Sequence, residues 1–211
     1  MNGVVRREPE WRVNTARDHF EVDEEAVREG RKVYLMLNKP RGLVTTASDE
    51  KGRRTVFECL KGKNLPLLMP VGRLDQASEG LLLFSNDTAW AARLTDPASH
   101  IEKIYHVQVN CIGDEALACK MEQGVRSQGE LLRATRVSVL RRGEKNSWLE
   151  IVLDEGRNRH IRRLLAALGI ELMRLVRVQV GTLKLGNLAK GEIRLLAKDE
   201  VAALGTLSQT S

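Results

Sequence analysis

The sequence contains few cysteines, few histidines and no long apolar run. Its 211 residues include three cysteines without a C-x-x-C spacing, which excludes a disulfide framework and a cysteine-based zinc site. Four scattered histidines form no H-x-x-x-H pair, so we expect neither a metal nor a cofactor. No apolar segment approaches the roughly 18–20 residues of a membrane span, and the first residues resemble no secretory signal. We therefore expect a protein of the reducing cytoplasm with no membrane association.

Aromatic residues make up only 4% of a chain that is 42% hydrophobic, so its core must consist mainly of Leu, Val and Ile. Lysine and arginine number 34 against 28 aspartates and glutamates, giving a formal charge of +6. Such a balance favours a polyanionic partner, although many soluble proteins are mildly basic.

The order of apolar patterns predicts an α+β fold with a mixed, largely antiparallel sheet flanked by helices, because strands and helices do not alternate strictly. Five segments predict strands: 32–38, 80–85, 103–110, 134–140 and 147–153. Five segments predict helices: 52–60, 89–94, 113–124, 158–168 and 198–205. Residues 1–30 are charged and too short for a core of their own, although Asp18–Asp23 alternates like a strand. We expect one domain over residues 31–205 and a disordered tail over 206–211.

One polar constellation, Val71–Gly80, lies between two apolar segments, where a loop would stand at the end of the sheet. It places Arg73 and Asp75 two residues apart, so an extended backbone would direct both to one side. The alternative interpretation is an ordinary polar turn with a surface arginine and aspartate.

A basic constellation occupies Asp154–Arg163 and leads into a helix. Its apolar stripe, Ile161, Leu164, Leu165 and Leu168, leaves Arg162 about 110° from the stripe centre by the 100° per residue of an α-helix. An arginine at that flank can reach a carboxylate in a neighbouring cleft. Arg157, Arg159, Arg163 and Arg174 would complete a phosphate-binding face, or else form the solvated side of an ordinary amphipathic helix.

These pieces together resemble the RsuA-type ribosomal RNA pseudouridine synthases, and among them the enzymes of the large-subunit branch. The resemblance spans about Lys32 to Leu196 and depends on five motifs in order: LNKPRG, GRLD with SEGLLLFSND, KIYHV, EGRNRHIRRLL, and LMRLVRVQVGTLKLGNLAKGEIR. It implies the pseudouridine synthase fold, with a catalytic cleft across the sheet and ribosomal RNA as the partner of a monomeric bacterial enzyme.

The resemblance also implies roles for individual residues. Asp75 matches the catalytic aspartate, and Arg162 the basic residue that pairs with it. Tyr105 matches the tyrosine that packs on the flipped base, whereas composition alone suggests a core tyrosine. Arg73 matches the arginine that fills the gap left by that base, and Leu175 the apolar residue beneath it. In addition, we expect Lys39 and Arg41 of the LNKPRG motif to bind RNA.

Typical members of the family begin with a small alpha-L RNA-binding module, of which only the closing strands have counterparts here. We therefore expect residues 1–30 to be a remnant of that module or a flexible tail. Isomerising uridine needs one ionised carboxylate and no metal, and an arginine partner favours the ionised form. The carboxylate either attacks the substrate covalently or removes the sugar 2′ proton, and the sequence leaves both routes open.

Two other functions remain open at this point. Asp75 and Glu79 could form the carboxylate pair of a glycoside or nucleoside hydrolase. Alternatively, the basic face could belong to a catalytically silent RNA-binding protein, in which Asp75 is dispensable.

Overall fold

The structure is a computed structural model, and it describes residues 31–206 and, as backbone only, two short strands before them. The chain divides into two compact units, Met1–Lys32 and Val33–Ser211. In the first unit, β1 (Glu21–Val22) pairs antiparallel with β2 (Glu25–Ala26), and β1 falls inside the strand predicted at Asp18–Asp23. The remaining expectations for residues 1–30 lie outside the described residues, as do those for 207–211.

The described part of the second unit contains eleven strands and four α-helices. The strands are β3 (Tyr34–Lys39), β4 (Met69–Val71), β5 (Glu79–Ser85), β6 (Lys103–Val109), β7 (Val125–Ser127), β8 (Glu130–Leu132), β9 (Arg136–Arg142), β10 (Ser147–Leu153), β11 (Leu172–Val180), β12 (Leu183–Lys184) and β13 (Ile193–Leu195). The helices are α1 (Thr88–Thr95), α2 (Glu115–Gln123), α3 (His160–Ala167) and α4 (Lys198–Thr206). Thr206, predicted to begin a disordered tail, is the last residue of α4.

One sheet organises these elements in the order β13-β3-β5-β11-β6-β10-β9, with β4 added to β5 and β12 to β11. The pairs are antiparallel except between β5 and β11, which run parallel over two residue pairs, Val176 with Glu79 and Arg177 with Gly80. The predicted α+β class with a mixed, largely antiparallel sheet is therefore confirmed.

The two faces of the sheet are covered by different helices, because successive side chains in a strand point to opposite faces. On the face that we call the α3 face, β6 and β10 contribute Val107, Val109, Leu149 and Ile151, which pack with apolar residues of α2 and α3. On the opposite, reverse face, α1 and α4 pack against Met36, Leu81 and Leu83 of β3 and β5.

Helix α3 buries the predicted stripe, since Ile161, Leu164 and Leu165 are buried. It begins at His160 rather than Asn158, because Arg159 has a left-handed backbone with φ of 49°. The helix predicted over 52–60 is instead a 3-10 helix confined to Val56–Leu60.

The sequence reading missed the β7–β8 hairpin, which has three residues in each strand. Its two-residue turn, Gln128-Gly129, has positive φ at both positions, as a type I′ turn requires. The glycine in that turn was the available signal, but strands this short show no clear alternation.

The parallel contact between β5 and β11 requires a glycine at position 80. Gly80 has φ of +101°, and a Cβ there would overlap the carbonyl oxygen of Arg177 and lie 2.9 Å from its amide nitrogen. No side chain can yield in this contact, because both neighbouring atoms belong to the backbone.

We predict that Gly80→Ala destabilises the protein by more than Gly129→Ala does. Both positions have positive φ, so each substitution strains the backbone by about 1–3 kcal/mol. A Cβ at Gly129 meets nothing within 4 Å, so only Gly80→Ala adds an overpacking cost of about 1–3 kcal/mol. Urea denaturation of both variants measures the difference, and equal losses would contradict a steric requirement at Gly80.

Candidate active site

A cleft of about 240 Å³ opens where the loop before β5, the beginning of α3 and the strand β6 meet. Its lining includes Arg73, Asp75, Tyr105 and Arg162, which are distant in sequence. The structure thus brings together the four residues to which the family resemblance assigned the reaction and the base-flipping step.

The loop that carries Asp75 is fixed by hydrogen bonds to the segment after β3. The Thr45 hydroxyl donates to the carbonyl of Leu74 at 2.8 Å, and the amide of Gly42 donates to the carbonyl of Gln76 at 2.7 Å. Within the loop, the amide of Ser78 donates to the carbonyl of Asp75 at 2.9 Å. Asp75 is therefore presented by a rigid backbone rather than by a mobile turn.

Asp75 contacts Arg162 across the cleft. The Arg162 Nε donates to Asp75 Oδ2 at 3.1 Å, and its Nη2 donates to Ser78 Oγ at 3.3 Å. The Asp75 side chain remains 37% exposed, whereas that of Arg162 is 19% exposed. Among the described residues, Asp75 Oδ1 accepts no hydrogen bond. One carboxylate oxygen is thus held in place, while the other is available to a bound molecule.

Tyr105 and Leu175 form part of the apolar wall of this cleft. Tyr105 lies on β6, directly opposite Ile151 of β10 and Arg177 of β11, and packs against two apolar clusters of the sheet. Leu175, on the neighbouring strand, is buried. A flat, partly apolar wall beside a carboxylate suits a planar base that has left its stack.

Lys39 does not fit the RNA-contacting role predicted for it. Its side chain is 0% exposed, and its ammonium donates to the carbonyls of Ser78 at 2.8 Å and Pro40 at 3.1 Å. Burial lowers the pKa of Lys39 to about 8, although Asp75 and Glu79 act in the opposite direction. Lys39 therefore holds the end of the Asp75 loop through hydrogen bonds from the protein interior, and its ammonium cannot contact a phosphate at the surface.

The predicted arginine face is divided among three places. Arg157 and Arg159 line the cleft. Arg163 instead points away from the cleft and donates to Glu130 Oε2 at 2.6 Å and to the Ser127 carbonyl at 3.0 Å. Arg157 also donates to the carbonyl of Leu131 at 3.0 Å, so two arginines anchor the β7–β8 hairpin. Arg163 was predicted on the solvent side of α3, but this hairpin covers it.

Arg174 lies on the reverse face, because it alternates along β11 with Leu175, which lines the cleft. Its guanidinium holds Glu79 through bonds of 2.8 and 3.0 Å and lies 5.7 Å from the centre of the Trp148 ring. The prediction that Arg174 shares a phosphate-binding face with Arg159 is therefore wrong.

Glu79 is only 3% exposed and is bonded by Arg174 and by Lys190 at 2.6 Å. Burial alone would raise the pKa of Glu79, but these two cations lower it below its ordinary value. A carboxylate held in this way cannot act with Asp75 on a substrate, so the structure removes the residue pair on which the hydrolase alternative depended.

Arg41 and Arg73 are both exposed. Arg73 lines the cleft, whereas Arg41 lies in the turn that bonds the Asp75 loop. Sequence reasoning assigned no role to several other polar residues of the cleft wall, among them Ser78, Lys103 and Arg177. The alternation of β6 was the available signal for Lys103, because it places this residue on the same face as Tyr105.

Comparison with known proteins agrees with this fold and cleft. Residues 33–167 match the family of RNA pseudouridylate synthases. A ribosomal large subunit pseudouridine synthase B of Bacillus subtilis is 36% identical over 211 residues, which cover 99% of this chain and 85% of that protein. An uncharacterised RNA pseudouridine synthase of Aquifex aeolicus is 36% identical over 206 residues, covering 97% and 82%.

A crystal structure of a pseudouridylate synthase superposes with a TM-score of 0.74 at 27% sequence identity, covering 96% of this chain and 86% of that one. Fold and sequence together define an RNA-modifying isomerase. The chain belongs to the RNA pseudouridylate synthase family, which converts uridine in RNA to pseudouridine.

We predict that Lys39→Met lowers stability without changing how RNA binding depends on salt. The substitution leaves a buried carbonyl unsatisfied, which costs about 1–3 kcal/mol. A phosphate contact would instead contribute about 0.7 to the slope of log affinity against log salt for a single strand. Arg159→Met serves as the control and should reduce that slope by this amount. A comparable reduction in Lys39→Met would restore Lys39 as an RNA contact.

Proposed function

We propose that this enzyme isomerises a specific uridine of ribosomal RNA, in the large subunit, and that Asp75 initiates the reaction. The observation that carries the proposal is the contact between Asp75 and Arg162 inside a cleft that also contains Tyr105. The relative in Bacillus subtilis, a ribosomal large subunit enzyme, supports the choice of substrate.

In this proposal the reaction begins at the free oxygen of Asp75. The bond between sugar C1′ and base N1 breaks, the uracil rotates in the cleft, and a new bond joins C1′ to carbon 5. The proton on carbon 5 leaves, and N1 gains one, so atoms and charge balance. In one route, Asp75 Oδ1 forms a covalent bond to the substrate, and this bond breaks once C1′ is joined to carbon 5. In the other, Asp75 Oδ1 removes the 2′ proton as the C1′–N1 bond breaks and returns it as C1′ bonds carbon 5. Arg162 holds the carboxylate oriented in both cases.

Tyr105 is placed to pack on the extruded base and to assist removal of the carbon 5 proton. Arg73, exposed at the cleft, is placed to enter the RNA stack where the base has left. Arg41 and Arg159 supply contacts to phosphates, because they lie at or beside the same opening. Arg157 also lines the opening, but it pairs with Glu155 at 2.7 Å, so only its remaining donors are available to a phosphate.

The proposal extends to the setting of the enzyme. The three cysteines are free thiols, as suits the reducing cytoplasm in which bacterial ribosomes assemble. No helix in the described part of the chain is long and apolar enough to cross a membrane. We further propose that the enzyme acts as a monomer and that residues 1–30 are the remnant of an RNA-binding module.

Mapping of pseudouridine in ribosomal RNA tests the substrate directly. Cells that carry the gene should contain one modified uridine that cells lacking the gene do not. The modification should return when the gene is restored. Identical maps of large-subunit RNA in both strains would overturn the substrate assignment.

We predict that Asp75→Asn abolishes turnover while RNA binding persists. The amide keeps the size and polarity of the side chain but loses its charge and nucleophilicity. Asp96→Asn is the matched control, since Asp96 also lines the cleft but caps a 3-10 helix, a role that asparagine retains. Turnover of Asp75→Asn above about a hundredth of wild type would exclude Asp75 as the initiating residue.

We predict different defects for Arg162→Ala and Arg73→Ala. The first leaves Asp75 without its partner and should slow the single-turnover rate about 10²–10³-fold, as the loss of a preorganised electrostatic contact does. The second should mainly make extrusion of the base more costly. A substrate with an abasic site beside the target uridine should therefore rescue Arg73→Ala alone. Equal rescue of both variants would refute this division.

A further inference from the structure

Lys103 is a cation of the cleft that the proposed reaction does not use. It is the first residue of β6, pairs across the sheet with Leu153 and Val180, and lies on the same face as Tyr105. Its side chain is partly buried and lines the cleft. A lysine in such a position normally meets an acceptor within the protein.

The Lys103 ammonium has no such acceptor among the described residues. Asp154 is the carboxylate that attracts it, but both oxygens of Asp154 are already engaged. The Thr135 hydroxyl donates to Asp154 Oδ1 at 3.2 Å, and His100 Nδ1 lies 3.4 Å from Oδ2. Burial, together with the positive charge of Arg177, lowers the pKa of Lys103 below its ordinary value.

Arg177 is a second cation beside Lys103, on the neighbouring strand and also at the cleft wall. It is 7% exposed, and its Nε donates to the carbonyl of Leu81 at 2.7 Å. Arg162 and Arg174 each contact a carboxylate. Within residues 31–206, by contrast, no carboxylate lies within hydrogen-bonding distance of Lys103 or Arg177. Two partly desolvated cations in this arrangement repel each other until an anion neutralises them.

We propose that Lys103 and Arg177 form a phosphate-binding subsite for the RNA strand next to the extruded uridine. This inference rests on the proposed function. Two residues of a strand span about 6.6 Å, so a nucleotide whose base packs on Tyr105 has its own backbone within reach of the long Lys103 side chain. The phosphate oxygens accept the hydrogen bonds that no acceptor among the described residues accepts from the Lys103 ammonium.

Binding of an RNA fragment that contains the target uridine tests the subsite, with Asp75→Asn as the background so that no turnover occurs. Lys103→Gln should weaken binding about 5–20-fold and reduce the salt slope by about 0.7. Lys103→Arg should retain most of the affinity because it keeps the charge. Lys145→Gln, in the exposed turn between β9 and β10, is the matched control and should leave both quantities unchanged.

Uncharged methylphosphonates identify the phosphate. The phosphates beside the target uridine are replaced one at a time. At one position, the replacement should weaken binding of the Asp75→Asn protein. At that same position, it should not further weaken binding of the Asp75→Asn, Lys103→Gln double variant. Additive losses at every position would overturn the subsite. Because the Lys103 ammonium bonds no residue in the described range 31–206, Lys103→Gln should not lower the melting temperature, and a large decrease would instead mark a structural lysine.

The two proposals fail in distinguishable ways. If the proposed function is wrong, wild-type enzyme forms no pseudouridine in large-subunit RNA, whatever residue stands at position 103. If only the subsite is wrong, the wild-type enzyme still modifies its target. The losses of binding affinity caused by Lys103→Gln and by each methylphosphonate are then additive.

Discussion

The parallel contact between β5 and β11 is the constraint on which the active site depends. It joins the two halves of the sheet through only two residue pairs, and it is possible because Gly80 lacks a side chain. Asp75 comes from the loop that leads into β5, whereas Tyr105 and Arg162 belong to the other half. The distance between the Asp75 carboxylate and Arg162 is therefore set by the backbone contact between β5 and β11, which we call the seam. The cleft lies beside this seam.

Buried charges stabilise the seam from two sides. Glu79 begins β5 and is held on the reverse face by Arg174 and Lys190, while Lys39 bonds the Ser78 carbonyl immediately before it. Removing one partner of such a buried set leaves an uncompensated charge, which is far more costly than the loss of a surface ion pair. These charged residues fix geometry, and their presence in the motifs of the sequence reflects that task rather than contact with RNA.

Much of the fold could be predicted because it depends on local patterns. The apolar spacing of α3 placed Arg162 at the flank of the helix, where the structure brings it to Asp75. Lys39 shows the limit of such reasoning, because nothing in LNKPRG indicates that its ammonium turns inward to two carbonyls. Arg174 was a different kind of error. Leu175 and Arg174 are neighbours in a strand, so they could not both face the substrate, and alternation alone already contained that answer.

The cleft must meet two opposing electrostatic requirements: it must hold a catalytic carboxylate and bind a polyanionic substrate. Asp75 must remain ionised and oriented, yet the substrate is a polyanion whose phosphates repel it. A single group of arginines could not meet both requirements, because phosphates would compete with the carboxylate for the same donors. The structure separates the two requirements: Arg162 bonds Asp75 and Ser78, whereas Lys103 and Arg177 bond no carboxylate of the part of the chain that the structure describes. When RNA binds, Lys103 and Arg177 neutralise the charge of a phosphate, and Arg162 remains bonded to Asp75 and keeps its carboxylate in position.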